Sequence, residues 1–153
     1  MAKIYIRISG DRFYAKNLDS GAVFDEPALL AVSETGGRKL IVAVGTNVAA
    51  ACAETGAARI AAFDSHPRVL VDDFDSASAI FKYAVKQVAG RSFIAPVAVV
   101  HVTKPLVGGL SAIERRALQE LAQSAGARNV KILDDPAASD YTPAQLEEYL
   151  KRI

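Results

Sequence analysis

The residues able to carry acid–base or metal chemistry are few and widely separated. Neither His66 nor His101 has a second histidine, a cysteine or a glutamate at metal-ligand spacing. Three aspartates lie in Asp72–Asp75, but the glycine and glutamate that complete a calcium loop are missing. We therefore predict no metal site and assign a helix cap to Asp75 or Ser76. For His101, at the end of an apolar run, we predict a structural, hydrogen-bonded role.

A glycine pair is the feature most typical of anion binding. Gly108 and Gly109 precede Ser111-Ala-Ile-Glu114, a capping box that opens a helix. The Lys-Ser/Thr pair of a phosphate loop does not follow them, and the chain also lacks a nucleophile elbow. These residues alone predict a soluble α/β domain without an evident active site, and they leave a small-anion site at this helix start open.

The composition narrows the class of protein. The 153 residues include 18 Lys+Arg and 17 Asp+Glu, so the net charge of +1 does not favour nucleic acid as a partner. A single cysteine, Cys52, excludes an internal disulfide and suits a reducing cytoplasm. The N-terminus alternates apolar and polar residues rather than forming a signal peptide, and no apolar run is long enough to span a membrane. We expect a cytoplasmic protein.

Hydrophobic periodicity predicts strands first, and then alternating helices and strands. The first half is predicted to contain antiparallel strands over Ile4–Ile8, Phe13–Ala15, Ala28–Val32 and Leu40–Val44, with another strand after the turn Asp19-Ser20-Gly21. A short helix is predicted over Val48–Glu54. The second half is predicted to contain the strand Val69–Val71, a helix with Ile80–Val88 inward, the strand Val97–Val102, a helix after Ser111, the strand Val130–Leu133 and a terminal helix from Thr142. This order describes an α/β domain whose sheet mixes antiparallel and parallel pairs.

Several segments resemble the first half of the MreB family, the bacterial actin-like cell-shape proteins. They are Gly21–Ala31, Leu40–Gly45, Val71–Asp75, Pro96–Val102, Ser111–Ala127 and Val130–Ala138. The most specific motifs are Asp25-Glu26-Pro27 and Asp134-Asp135-Pro136-Ala137-Ala138. The resemblance covers about residues 3 to 138. It implies a single lobe of the actin-like, ribonuclease-H-like fold, a mixed sheet with flanking helices in which residues 28–72 form a small inserted subdomain.

This chain departs from the family where nucleotide would bind. The family carries Asp-x-Gly-Thr, whose acid works with magnesium and whose backbone holds phosphates; here the residues are Arg7, Ile8, Ser9 and Gly10. An arginine cannot organise a hydrated cation. Asp135 matches the family's water-orienting glutamate and is one methylene shorter. The resemblance thus implies degenerate cofactor-binding positions at Arg7, Ser9 and Gly10 and a catalytic remnant at Asp135. Alternatively, Arg7 is simply an outward-facing strand residue and Asp135 a polar residue before a proline.

Two further properties follow from the resemblance. Family members contact the inner membrane through a loop that matches residues 91–95, where Phe93 and Ile94 would insert; alternatively these two residues begin the buried strand. Family members also form filaments, and a chain without the second lobe would cap or decorate a filament more easily than build one.

The leading hypothesis is a non-catalytic MreB/actin-like protein that acts in cell shape or cytoskeletal assembly through protein contacts. Its expected partner is a full-length MreB-like filament protein, with peripheral membrane contact, no nucleic acid and no bound cofactor. Two alternatives remain. The chain could bind ATP and magnesium weakly as an ATPase whose missing lobe comes from another chain. It could instead be a small-anion-binding domain that uses Ser9-Gly10 and Gly108-Gly109.

Overall fold

The computed structural model describes residues 3–63, 70, 71, 73–90, 94–103, 109–133, 145 and 148. Within these residues the chain forms two sheets flanked by helices. The strands are β1 (Lys3–Ile8), β2 (Arg12–Asn17), β3 (Val23–Pro27), β4 (Leu29–Thr35), β5 (Arg38–Val44), β6 (Ala58–Ala61), β7 (Val97–Val102) and β8 (Asn129–Leu133). The α-helices are α1 (Val48–Thr55), α2 (Phe74–Ala89) and α3 (Ala112–Ser124).

The larger sheet has five strands in the order β3-β2-β1-β7-β8. The pairs β1–β2 and β2–β3 are antiparallel, whereas β1–β7 and β7–β8 are parallel. The prediction of a mixed sheet is therefore confirmed. Strand β7, a nearly continuous β-branched run, lies between β1 and β8 as its sequence predicts. The carboxyl ends of β1, β7 and β8 meet at one edge of this sheet.

One face of the larger sheet carries the main core. Alternation along β1 directs Ile4, Ile6 and Ile8 to this face, where they join buried side chains of α2 and α3. Phe13 and Phe81 meet edge to face with ring centroids 5.1 Å apart. These buried apolar side chains pack α2 and α3 on the same side of the sheet. Tyr5 and Arg7 of β1 therefore point to the opposite face.

The start of α2 corrects one prediction. The cap is Asp73, whose carboxylate accepts hydrogen bonds from the Ser76 backbone N–H (3.3 Å) and hydroxyl (2.6 Å). Assigning the cap to Asp75 or Ser76 was wrong, because Asp73 has the extended backbone of a cap and Asp75 already lies in the first helical turn. The glycine stop predicted at the other end is confirmed at Gly90.

The smaller sheet lies between residues 29 and 61 and has the order β5-β4-β6. Strand β6 was not predicted, and the strand expected over 69–71 is wrong at Leu70 and Val71, which lie outside the strands. Leu30 of β4 joins the main core. An inserted subdomain over residues 28–72 stays a prediction. The predicted terminal helix lies largely outside the described residues; within it, Gln145 and Glu148 are described and both are helical. No helix in the described part of the chain is long and apolar enough to cross a membrane.

Candidate functional site

The predicted site residues converge on the carboxyl edge of the larger sheet. Ser9 and Gly10 follow β1, and Arg7, near the end of β1, lies in register with His101 of β7. His101 in turn is in register with Leu133, the last residue of β8. Asp135 lies outside the described residues. The structure thus places Arg7, Ser9 and Gly10 where strand ends meet, the usual position of a ligand site in an α/β sheet.

The turn between β1 and β2 is closed by its own hydrogen bonds. The Ser9 backbone N–H donates to the Arg12 carbonyl oxygen (3.3 Å), and the Ser9 hydroxyl lies 3.3 Å from Asp11 Oδ1. Gly10 is buried and has φ 101°, a conformation that favours glycine. A phosphate cradle requires backbone N–H groups that point outward without partners. Here the Ser9 donors are engaged internally, and Asp11 adds a negative charge that repels an anion.

Arg7 lies on the face of the sheet opposite the main core. Its side chain is exposed, and the guanidinium carbon sits 4.6 Å from the centroid of the Tyr14 ring, a cation–π contact. Tyr5, on the same face of β1, meets Tyr14 edge to face at 6.2 Å between centroids. Arg7 is therefore outward-facing, as the simpler interpretation has it. It also packs on a patch that we call the aromatic face, formed by Tyr5, Tyr14 and His101.

Buried polar groups on the aromatic face are held neutral. Tyr5 and His101 share a hydrogen bond of 2.7 Å between the phenol oxygen and Nδ1. Burial raises the pKa of Tyr5 to about 12, against the opposing effect of the Arg7 charge. Burial also lowers the pKa of His101, and Arg7 lowers it further. At pH 7 both partners of this bond are therefore neutral, and the hydrogen bond predicted for His101 is present.

A carboxylate of the chain itself occupies the N-terminus of α3. Glu114 accepts hydrogen bonds from the backbone N–H groups of Ser111 (3.2 Å) and Leu70 (3.2 Å). Its own N–H donates to the Ser111 hydroxyl at 3.1 Å, which completes the predicted capping box. Gly109 precedes this helix with φ 74°, and Gly108 lies outside the described residues. The Glu114 carboxylate therefore places a negative charge at this helix start, which disfavours a second anion there.

Two other predictions concern metal ions and the membrane. Across the described ranges, no group of three or more His, Cys, Asp or Glu residues is placed to hold a metal ion. Ile94 is 54% exposed and precedes β7, which begins at Val97. The interpretation that it begins the buried strand is therefore wrong for Ile94. Phe93 lies outside the described residues.

Sequence reasoning did not single out Tyr5, Tyr14 or Glu114 as site residues. A signal for Tyr5 was present, because the alternation that places the isoleucines of β1 in the core sends Tyr5 and Arg7 to the other face. Tyr14 required the register of the hairpin, in which it pairs with Arg7. The bond from Leu70 to Glu114 joins residues 44 positions apart and has no local signal.

The sheet order and the position of α2 and α3 define one lobe of an actin-like protein. The fold is similar to that of MreB 5 of Spiroplasma citri bound to AMPPNP, with a TM-score of 0.67 and 18% identity, over 86% of this chain and 38% of that one. It is also similar to a non-polymerising mutant of MamK bound to AMPPNP, with a TM-score of 0.68 and 14% identity, over 86% of this chain and 40% of that one.

The sequence identifies the family within that class. The family model described as MreB/Mbl protein matches residues 9–141. The cell shape-determining protein MreB of Escherichia coli (strain K12) is 33% identical over 121 residues, which are 78% of this chain and 34% of that protein. MreB of Pasteurella multocida (strain Pm70) is 34% identical over the same shares. The chain belongs to the MreB/Mbl family, and it spans about a third of the length of these curated relatives.

Proposed function

We propose that this chain is a non-catalytic MreB/actin-like protein that acts in the cytoplasm, in cell shape or cytoskeletal assembly, through protein contacts. One observation carries the proposal: the Ser9 donors, at the position of the family's phosphate loop, are engaged within their own turn. A carboxylate, that of Glu114, also lies at the start of α3. This engagement supports the prediction that Arg7, Ser9 and Gly10 are degenerate cofactor-binding positions.

The charge of Arg7 supports loss of hydrolysis. In the family resemblance this position holds the acid that works with magnesium. Arginine stays protonated at any physiological pH and has no lone pair for a metal or its bound water. Packing on Tyr14 gives the Arg7 side chain a role in the aromatic face instead. Asp135, as a catalytic remnant, stays a prediction.

A full-length MreB filament is the proposed partner. The curated relatives that the chain matches are cell shape-determining MreB proteins, and the chain corresponds to about a third of their length. We propose that this lobe caps or decorates filaments of such a protein. Peripheral membrane contact through Phe93 and Ile94 is part of this proposal, and the exposure of Ile94 supports it.

Two measurements test the proposal. In calorimetric titration with ATP and magnesium we expect no saturable heat from this chain, with full-length E. coli MreB as the positive control. In co-sedimentation with filaments of that MreB, we expect the chain in the pellet only when filaments are present.

Saturable micromolar ATP binding by the isolated chain would overturn the non-catalytic assignment. Binding that arises only when a second chain is added would favour the ATPase with a lobe supplied in trans. Saturable binding of inorganic phosphate alone would favour the small-anion domain. A chain that stays in the supernatant at every filament concentration would refute the filament partner.

A further inference from the structure

Strand β5 presents exposed apolar side chains and an edge with which no other strand of the described residues pairs. It is the outer strand of the smaller sheet and, among the described strands, it is hydrogen-bonded to β4 alone. Leu40, Ile41 and Val42 are consecutive and are 55%, 48% and 43% exposed. Exposed edges of this kind are templates for pairing with another strand, and proteins usually protect them.

A groove lies between this strand and α2. Its volume is about 510 Å³. The lining residues come from β5 and from one side of α2: Ile41, Val44, Asp75, Ser78, Ala79, Lys82, Tyr83 and Lys86. Tyr83, which is 41% exposed, packs edge to face on Phe24 of β3 at 5.8 Å between centroids. The groove therefore combines an apolar wall, an aromatic ring packed on β3 and a strand edge that no described strand covers.

Two ammonium groups and one carboxylate, that of Asp75, line the groove, so its charges sum to one positive charge. Lys82 and Lys86 lie one helical turn apart on α2 and both line the groove. Among the described residues, neither ammonium group pairs with a carboxylate. Arg38 and Lys39 begin β5, and Lys39 acts electrostatically on Asp73 at the start of α2. An occupant with negative charge would supply the missing counter-charges.

We propose that this groove binds an extended, acidic and apolar segment of a partner protein, which adds a strand to the edge of β5. Backbone hydrogen bonds to β5 supply affinity, alternate apolar side chains enter the groove, and acidic groups reach Lys82 and Lys86. This inference rests on the proposed function, because it names the kind of segment through which the chain would make its protein contacts.

The occupant's chemistry follows from the geometry. A helix or a membrane surface would leave the polar edge of β5 unsatisfied, whereas an extended segment pairs with it. A second copy would bring its own basic residues against these, and like charges in close contact disfavour pairing. The register of β5 on β4 shifts between Ala31 and Val32, so β5 is regular from Arg38 to Ile41. The added strand should therefore be short.

The probe is the fluorescein-labelled peptide EEVTVTVEE, measured by anisotropy at low salt, with KKVTVTVKK as the charge-reversed control. We expect saturable binding of the acidic peptide and at least tenfold weaker binding of the basic one. The double variant Lys82→Glu/Lys86→Glu should weaken binding about tenfold. Arg115→Glu/Arg116→Glu on α3, with the same change in net charge, should leave it unchanged. Ile41→Ser should weaken binding, whereas Ile113→Ser, at an 82% exposed position on α3, should not.

Backbone pairing is tested with two N-methylated peptides that carry the methyl groups on alternate residues. Strand addition predicts that one of them loses binding and that the other, methylated on its solvent edge, keeps it. The proposal is overturned if the two N-methylated peptides bind equally, if KKVTVTVKK binds as tightly as EEVTVTVEE, or if EEVTVTVEE does not bind. Self-association through β5 that Ile41→Ser abolishes would also overturn it. Binding to phosphatidylglycerol vesicles that requires Lys82 and Lys86 would do the same. Co-sedimentation with filaments but no peptide binding would refute the groove while leaving the proposed function standing.

Discussion

The substitution Arg7→Asp tests whether the aromatic face depends on a positive charge. The Arg7 guanidinium carbon is 4.6 Å from the Tyr14 centroid, and a cation–π contact at an exposed site contributes about 0.5–1 kcal/mol. We expect the variant to lose about this much free energy of unfolding at pH 7. Arg7 also contributes, after burial, to the lowered pKa of His101. Replacing it by an acid raises that pKa toward the ordinary histidine value.

The pH dependence follows from this shift. A folded-state pKa below the unfolded value means that the unfolded chain binds more protons between the two, so stability rises with pH across that window. The contribution is complete above the ordinary histidine pKa and is lost as pH falls toward the folded value. Arg7→Asp brings the folded-state pKa of His101 closer to its unfolded value and so narrows this pH range. We therefore expect wild type to lose more stability than the variant between pH 7 and about pH 5.

Urea denaturation across this range measures both effects. The matched control is Arg12→Gln, which removes a surface ion pair with Asp25 (3.1 Å) on the same sheet. This control should cost less than about 1 kcal/mol and should keep the wild-type pH slope. If Arg7→Asp leaves both the midpoint and the slope unchanged, or if the control flattens the slope equally, Arg7 does not act on His101 as described. His66→Gln separates the other histidine's contribution.

Three further predictions concern the phenol, the core and the cap. One of the five tyrosines should ionise near pH 12 in ultraviolet titration, and Tyr5→Phe should remove that transition. Because the folded state favours the neutral phenol of Tyr5, the stability that this phenol contributes is lost as pH rises from 10. Phe81→Ala should lower the free energy of unfolding by about 3–5 kcal/mol in chemical denaturation, since the ring is fully buried against Phe13. A loss below about 1 kcal/mol, as at an exposed position, would contradict this packing. Asp73→Ala should cost about 1 kcal/mol, whereas Asp75→Ala should cost only a few tenths, so equal costs would contradict the cap assignment.

Local chemistry explains which elements could be predicted. The capping box at Ser111 and the β-branched run of β7 carry their signals within a few residues, and both elements form where expected. Strand β6 does not, since its sequence Ala-Arg-Ile-Ala has weak strand propensity and its conformation comes from pairing with β4. The cap of α2 was misplaced because neighbouring aspartates offer the same side chain, and only the backbone angles of Asp73 distinguish it.

The sequence indicated where the candidate site residues lie, but not how their hydrogen-bond donors are engaged. The family resemblance pointed to Arg7, Ser9 and Gly10, and the structure places them at the meeting point of strand ends. Whether a turn can bind phosphate depends on where its N–H groups point, and that depends on contacts across the turn. The engagement of Ser9 with Arg12 and the reach of Glu114 to Leu70 are such contacts, and residue types alone do not reveal them.

The central place of β1 has a consequence for how the chain folds. Residues 3–8 are synthesised long before β7, yet β7 is one of their two neighbouring strands, with Lys3 in register with Val97. Until β7 has been made, the hairpins of β1, β2 and β3 expose an isoleucine-rich edge, and closing so distant a pairing is slow. Nascent chains that stall before β7 are therefore the species most exposed to aggregation.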